Sequence, residues 1–402
     1  MILLRTLFVA TFNPRYQKLT FMIAERAKNI SPFIVMEVLE KAAEMERRGE
    51  KVIHLEVGEP DFPVPACVSE SIQNAYSEQR THYTHSLGDP ELREEIARHY
   101  FVKYNVQVSP DQVIITSGSS PAILLTLGVL CNQDDEVILS DPGYACYPNF
   151  IRFLGAKAIK VPVFEEDGFQ YRSEEICKRI SEKTRAIMIN SPMNPTGNLL
   201  LAEVMKEIAK FDIPVISDEI YHGLVYENRA HSMLEYSKNT FILNGFSKLF
   251  AMTGLRLGYV IAPPEYVRPM QKLQQNLFIC ASSTVQRAGI TALRSAAADV
   301  EKMKEIYNKR RKYMVERLQK MGFDIKVIPT GAFYVFVNAR HLSDDSYKLA
   351  FDILEKAKVG VTPGIDFGEN GEGFLRFSYA NSLENIGEGM DRLEAYLKEF
   401  RI

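Results

Sequence analysis

The spacing of hydrophobic positions changes along this chain, and the changes divide it. Ile34, Val38, Ala42 and Met45 recur at helical intervals between Phe33 and Arg48. They predict an amphipathic helix that Gly49 stops. Lys51–Val57 predicts a short strand. Gly58-Glu59-Pro60-Asp61-Phe62-Pro63 is a run of turn residues that no helix interior accommodates. Glu91–Tyr104 predicts a helix, and from there the pattern alternates. Short apolar runs at Val113–Thr116, Glu136–Ser140, Ala186–Asn190, Pro214–Ser217, Phe241–Asn244 and Leu257–Ile261 have helical stretches between several of them, Pro121–Leu130 included. Runs that are apolar at successive positions belong to strands buried on both faces. Their alternation with helices predicts an α/β fold, a parallel sheet covered by helices. In such sheets ligands sit beyond the carboxyl ends of the strands.

Past residue 299 the pattern changes again. Val300–Met321 predicts a long charged helix, Gly331–Val337 and Phe374–Ser378 predict strands, and Leu383–Phe400 predicts a closing helix. This part is expected to form a second, smaller domain. Residues 1–23 read as an extension without a secretory signal, with Met22 as an alternative start.

Composition narrows the functional classes. The chain has 402 residues, 46% apolar and 25% charged, enough for two domains with a substantial core. Its 48 basic residues against 51 acidic ones leave a formal net charge of −3, which supplies no basic footprint for nucleic acid. No apolar run approaches the ~18 residues of a membrane span. Five widely spaced cysteines without a CxxC fit a reducing, cytoplasmic setting rather than a disulfide framework or a zinc site. His82 and His85 have no neighbouring ligand residues, so no metal is expected.

The chemistry collects at the ends of the strands. Val113–Thr116 runs into Ser117-Gly118-Ser119-Ser120-Pro121, with Ser120 as a candidate N-cap. Such a strand–turn–helix junction offers free N–H groups to a phosphate, although an ordinary capped helix would read the same way. Ala186–Asn190 leads to a rigid turn around Asn194. Pro214–Ser217 leads to Asp218, with Tyr221 three residues on; Asp218 is either a helix cap or a buried anion facing a cationic ligand atom. Phe241–Asn244 leads to Lys248 in an apolar, small-residue setting, where desolvation lowers an amine's pKa and prepares it for Schiff-base chemistry. A lysine reaching out to water is the ordinary alternative. Arg256 follows eight residues later. Together these groups match pyridoxal 5'-phosphate, which presents a phosphate, a ring nitrogen, a phenolic oxygen and an aldehyde.

With these motifs assembled, the chain from about Ala24 onward resembles the class I/II aminotransferases, fold-type-I pyridoxal-phosphate enzymes. The matching pieces are Gly58-Glu-Pro-Asp-Phe62, Tyr83-Thr-His-Ser-Leu-Gly88, Thr116-Ser-Gly-Ser-Ser120, Asn194-Pro-Thr-Gly197, Ser217-Asp-Glu-Ile-Tyr221, Ser247-Lys248 with Met252-Thr-Gly-Leu-Arg-Leu-Gly258, and Leu375-Arg-Phe-Ser378. The resemblance implies a mainly parallel sheet in a large domain, residues 61–299, and a small domain built from both chain ends, residues 24–60 with 300–402. It implies that Lys248 joins the cofactor's aldehyde and later carries a proton, that Asp218 pairs with the ring nitrogen, and that Tyr221 and Asn194 bind the phenolic oxygen. It gives the phosphate to Ser119, Ser120 and Arg256, and ring stacking to Tyr144. The substrate α-carboxylate goes to Arg376, helped by the backbone N–H of Gly58. Tyr83 would reach the phosphate of a neighbouring subunit in a homodimer. The chain departs from the pattern at Gly245, where many relatives carry a phosphate-binding Ser. The expected reaction is ping-pong transfer of an amino group between an L-amino acid and a 2-oxo acid. A lyase or synthase on the same scaffold (of the C–S lyase type) is the alternative, and a non-catalytic regulator a more distant one. The apolar loop Asn276–Ala281 leans the substrate towards neutral or aromatic side chains, with aspartate and alanine still open.

Overall fold

A computed structural model describes residues 23–400. The expected extension, residues 1–23, lies outside the described residues except for Ile23. The strands are β1 (Ile53–His54), β2 (Val113–Thr116), β3 (Glu136–Asp141), β4 (Lys157–Pro162), β5 (Thr184–Asn190), β6 (Val215–Asp218), β7 (Thr240–Gly245), β8 (Gly258–Ile261), β9 (Tyr334–Asn338), β10 (Val359–Gly360), β11 (Thr362–Pro363) and β12 (Phe374–Ser378). A seven-stranded sheet runs in the order β2-β8-β7-β6-β5-β3-β4. Its pairs β3/β4, β3/β5, β5/β6 and β6/β7 are parallel, whereas β8 is antiparallel to both β2 and β7. Six strands therefore end on one edge, and β8 begins there.

The buried strands match the apolar runs to within two residues. One strand of the seven-stranded sheet does not arise from such a run. In β4, Lys157 and Lys160 interrupt the apolar pattern, because β4 is an edge strand partly open to water. Charged edge positions also discourage pairing with other chains. The predicted strand Lys51–Val57 shrinks to β1, which pairs with β10 alone.

A second buried cluster joins the two ends of the chain. Ile53 and Leu55 pack with Tyr307, Met314 and Leu318 of the helix Ala297–Lys320, with Phe333, Val335 and Val337 around β9, and with Met390 and Leu393 of the closing helix Leu383–Phe400. The antiparallel sheet β11-β12-β9 lies within this cluster and carries Arg376. Ile220 and Tyr221 belong to the same cluster, so the region after β6 is packed against it.

Candidate active site

The turn after β2 is built on close approach. Gly118 has φ +95°, a region that favours glycine, and a Cβ there would overlap the Arg256 guanidinium. From the other side, a Cβ on Gly258 would come within 2.9 Å of the Ser119 nitrogen. The helix begins at Ser119 with Gly118 as N-cap, two residues earlier than Pro121 suggests. Ser120 is thus not the cap, and no side chain caps this helix. The hydroxyls of Ser119 and Ser120 remain available beside free backbone N–H groups and Arg256, a ready anion site. Gly118→Ala should loosen this corner, strain φ and displace Arg256. It is expected to weaken cofactor binding by about tenfold or more, on the order of the 1–3 kcal/mol of such strain. Titration of the apoprotein with pyridoxal phosphate, followed by absorbance, checks it.

Gly245 is explained by the same packing. A Cβ there would meet the Leu257 carbonyl at 2.9 Å and the Gly258 Cα at 3.0 Å, so β8 leaves little room for a serine.

Asp218 closes β6 and is buried. Its Oδ2 accepts from the Tyr147 hydroxyl at 2.7 Å, and its Oδ1 accepts from the Ile220 N–H at 3.1 Å. Burial raises its pKa to about 6, against the lowering effect of these two bonds. Asn190 donates to the Asp218 carbonyl at 2.9 Å and accepts from the Asn194 N–H at 2.8 Å, which locks the two strand ends together.

Lys248 follows β7. Its Nζ donates to the Gly58 carbonyl at 2.7 Å. Burial lowers its pKa to about 8, with Arg376 and Arg256 adding to the effect and Glu59 opposing it. Gly58 is itself required, because a Cβ there would overlap the Tyr334 hydroxyl.

Arg376, in the middle of β12, is buried and held on several sides. Nη1 donates to Asn194 Oδ1 at 2.9 Å, and Nη2 donates to the Glu56 carbonyl at 2.6 Å and to Thr362 Oγ1 at 3.0 Å. Its guanidinium lies 4.4 Å from the Tyr334 ring centroid. Its Nε is buried with no protein partner, a donor left for a ligand.

These groups share one cavity of about 410 Å³. Gly58, Ser119, Ser120, Tyr144, Asn194, Asp218, Tyr221, Lys248, Arg256 and Arg376 all line it. Tyr144 sits on its wall, edge-on to Tyr147 with ring centroids 5.1 Å apart. Tyr83 does not line it; that side chain is 80% exposed on the surface of the chain. Among the lining residues to which the sequence reading assigned no role are two tyrosines, Tyr147 and Tyr334. Tyr147 carries a faint signal, one helical turn beyond Tyr144. Tyr334 carries none, since an aromatic in an apolar strand reads as core.

An amine of lowered pKa, a buried carboxylate, an anion corner and a fixed guanidinium, all at the carboxyl edge of a mainly parallel sheet, define a fold-type-I transferase site. Comparison with known proteins agrees. Residues 50–393 match the family model described as aminotransferase class I and II. The chain is 42% identical over 383 residues to the (5-formylfuran-3-yl)methyl phosphate transaminase of Methanocaldococcus jannaschii, covering 94% of this chain and all of that one. It is 41% identical to an aspartate aminotransferase of Pyrococcus horikoshii, covering 95% and 99% of the two chains. The solved aspartate aminotransferase of Thermus thermophilus with maleate superposes with a TM-score of 0.90 at 33% identity, covering 93% and 99%. The chain belongs to the class I and II aminotransferases. It is a transaminase of that family, which uses pyridoxal phosphate.

Proposed function

We propose that the cavity holds pyridoxal 5'-phosphate on Lys248, and that the donor is an L-amino acid with a neutral side chain, its amino group passing to a 2-oxo acid. The observation that carries this reading is the joint presence of Lys248 and Asp218 in one cavity, between the anion corner at Ser119–Arg256 and the guanidinium of Arg376. The unpartnered Arg376 Nε and the glycine-lined corner fit a phosphate-bearing aldehyde and a carboxylate.

The bound cofactor supplies an aldehyde that takes up the amino group and a ring that accepts the electrons left when the Cα proton departs. The chain's own groups do the rest. Ser119, Ser120 and Arg256 hold the phosphate. Asp218 holds the proton of the ring nitrogen. Tyr221 and the Asn194 amide donate to the phenolic oxygen, and Tyr144 packs against the ring. Arg376 would take the substrate carboxylate, its buried and unpartnered Nε being a donor left for it, with Gly58 beside it. With the cofactor bound, Lys248 would be the base that removes the Cα proton and the acid that returns it.

The test is a half-reaction. Mixed with donor alone, the loaded protein should yield one equivalent of 2-oxo acid and stop; an added 2-oxo acid should restore turnover. Continued turnover without acceptor would indicate a lyase.

Substrate choice rests on charge. The cations lining the cavity are Lys248, Arg256 and Arg376, and each already has a task. Phe33, Val35, Met36 and Leu39 form an apolar wall. A second substrate carboxylate therefore finds no dedicated cation among the described residues. Neutral donors such as phenylalanine, leucine and alanine are expected to exceed aspartate in kcat/KM by about tenfold or more, the scale of one unpaired charge at a binding site. A donor screen with 2-oxoglutarate reads this directly.

A homodimer completes the reading. The segment bearing Tyr83 is tied to the helix Ser283–Ser295, through Ser283 to the Arg80 carbonyl at 2.9 Å and Gln286 to Thr84 at 2.9 Å. Beside it Leu277 and Ile279 are also exposed. On this face Tyr83 serves the phosphate of the partner's site. Tyr83→Phe should weaken cofactor binding by about three- to tenfold, the value of one hydrogen bond to a charged group or slightly less. A titration that leaves the affinity unchanged would remove Tyr83 from the site.

A further inference from the structure

Tyr334 opens β9 and is 1% exposed. As part of an apolar strand it would be expected only to fill the core. Besides its core packing, which includes the Phe333 ring with centroids 4.8 Å apart, it touches the functional groups. Its hydroxyl lies 2.9 Å from the Tyr221 hydroxyl. Its ring lies beneath the Arg376 guanidinium, 4.4 Å from Cζ to the centroid. It is also the side chain that forbids a Cβ at Gly58, whose carbonyl accepts from Lys248. One phenol thus touches the proposed phenolic-oxygen donor, the proposed carboxylate clamp and the backbone that holds the amine.

We infer that Tyr334 is a positioning residue with two separable actions, its hydroxyl strengthening Tyr221 as a donor and its ring fixing the plane of Arg376. This inference rests on the roles proposed above for Tyr221 and Arg376. Burial keeps both phenols protonated, since it pushes each one's pKa up. When Tyr221 spends its own proton on the cofactor's phenolic oxygen, the proton between the two tyrosines comes from Tyr334. A hydroxyl that accepts one hydrogen bond donates the next more strongly. The ring acts differently. Nη1 and Nη2 are committed to Asn194, the Glu56 carbonyl and Thr362, and the Tyr334 face closes the guanidinium from one side. A flat cation held over an aromatic face keeps its remaining donor, the unpartnered Nε, pre-oriented for a carboxylate.

Two variants separate these actions. Tyr334→Phe keeps the ring and removes the hydroxyl. The spectrophotometric pKa of the cofactor-loaded protein should rise by about half a unit, the scale of one weakened neutral hydrogen bond, with donor KM within about twofold of wild type. Tyr334→Leu removes the ring as well, and donor KM should also rise by about three- to thirtyfold, the range of a cation–π contact. Circular dichroism of both apoproteins controls for folding, and the Phe variant decides the hydroxyl action even where the Leu variant misfolds. An unchanged pKa in the Phe variant overturns the hydroxyl action, and an unchanged KM in a folded Leu variant overturns the ring action. A wild-type protein that acquires no visible absorbance with pyridoxal phosphate would overturn the cofactor reading itself, a result distinct from either of these.

Discussion

Lys248→Ala is expected to abolish transamination, with a loss of about 10⁴-fold or more at the upper range of general acid–base catalysis, while the protein stays folded. No neighbour replaces the amine. Arg256 is committed to the Thr253 carbonyl at 2.8 Å, and Arg376 to Asn194, Glu56 and Thr362, and guanidinium groups do not deprotonate. The substitution leaves the phosphate corner and the carboxylate clamp intact, so the variant should still bind cofactor noncovalently and lose only turnover. A parallel effect appears in the apoprotein. The folded-state pKa of Lys248, about 8, lies below its unfolded value of roughly 10.4. Between these values the unfolded chain binds the extra proton, so apoprotein stability should rise with pH from about 8 towards about 10.4. Chemical denaturation across that window should show a smaller rise for Lys248→Ala.

Asp218→Asn should be the second most damaging change, with kcat falling by about 10²–10³-fold, the typical loss of one preorganised electrostatic contact in a buried site. The amide keeps the shape of the carboxylate but cannot hold a proton on a ring nitrogen. Arg376 and its partners are untouched, so the loss should appear in kcat with donor KM within a few fold. Here the pH effect has the opposite sign. Burial raises the folded-state pKa of Asp218 to about 6, above its unfolded value of about 3.9. The folded apoprotein therefore binds more protons in that window, and this group's contribution falls as pH rises from about 4 to about 6. The Asn variant should lack that fall. Stopped-flow half-reactions and denaturation profiles at matched pH check the two halves of the prediction.

Much of the site could be read from the chain because its residues interrupt patterns. Asp218 and Lys248 stand just where buried apolar strands stop, and a charge in that place needs a reason. Gly118, Ser119 and Ser120 were visible as a strand–turn–helix junction. Arg376 was different: it interrupts the apolar strand β12, but only the family resemblance assigned its role. Tyr147 and Tyr334 escaped because their hydroxyls act inside the core, and an aromatic ring satisfies hydrophobic periodicity whether or not its oxygen works. The sheet shows the same limit. An apolar run such as Leu257–Ile261 carries no sign of its direction, so the reversal of β8, which delivers Arg256 from the start of a strand, was legible only in three dimensions. Edge strand β4 stayed hidden because its lysines face water. Tyr83 was assigned by the family resemblance alone, and its own chain leaves it exposed, outside the cavity.

The most direct test of the account is where the cofactor attaches. The protein is loaded with pyridoxal phosphate, reduced with borohydride, digested and mapped by mass spectrometry. The account predicts one modified peptide per chain, carrying the added mass on Lys248. Modification of a different lysine, or none above the level found in Lys248→Ala, would contradict it.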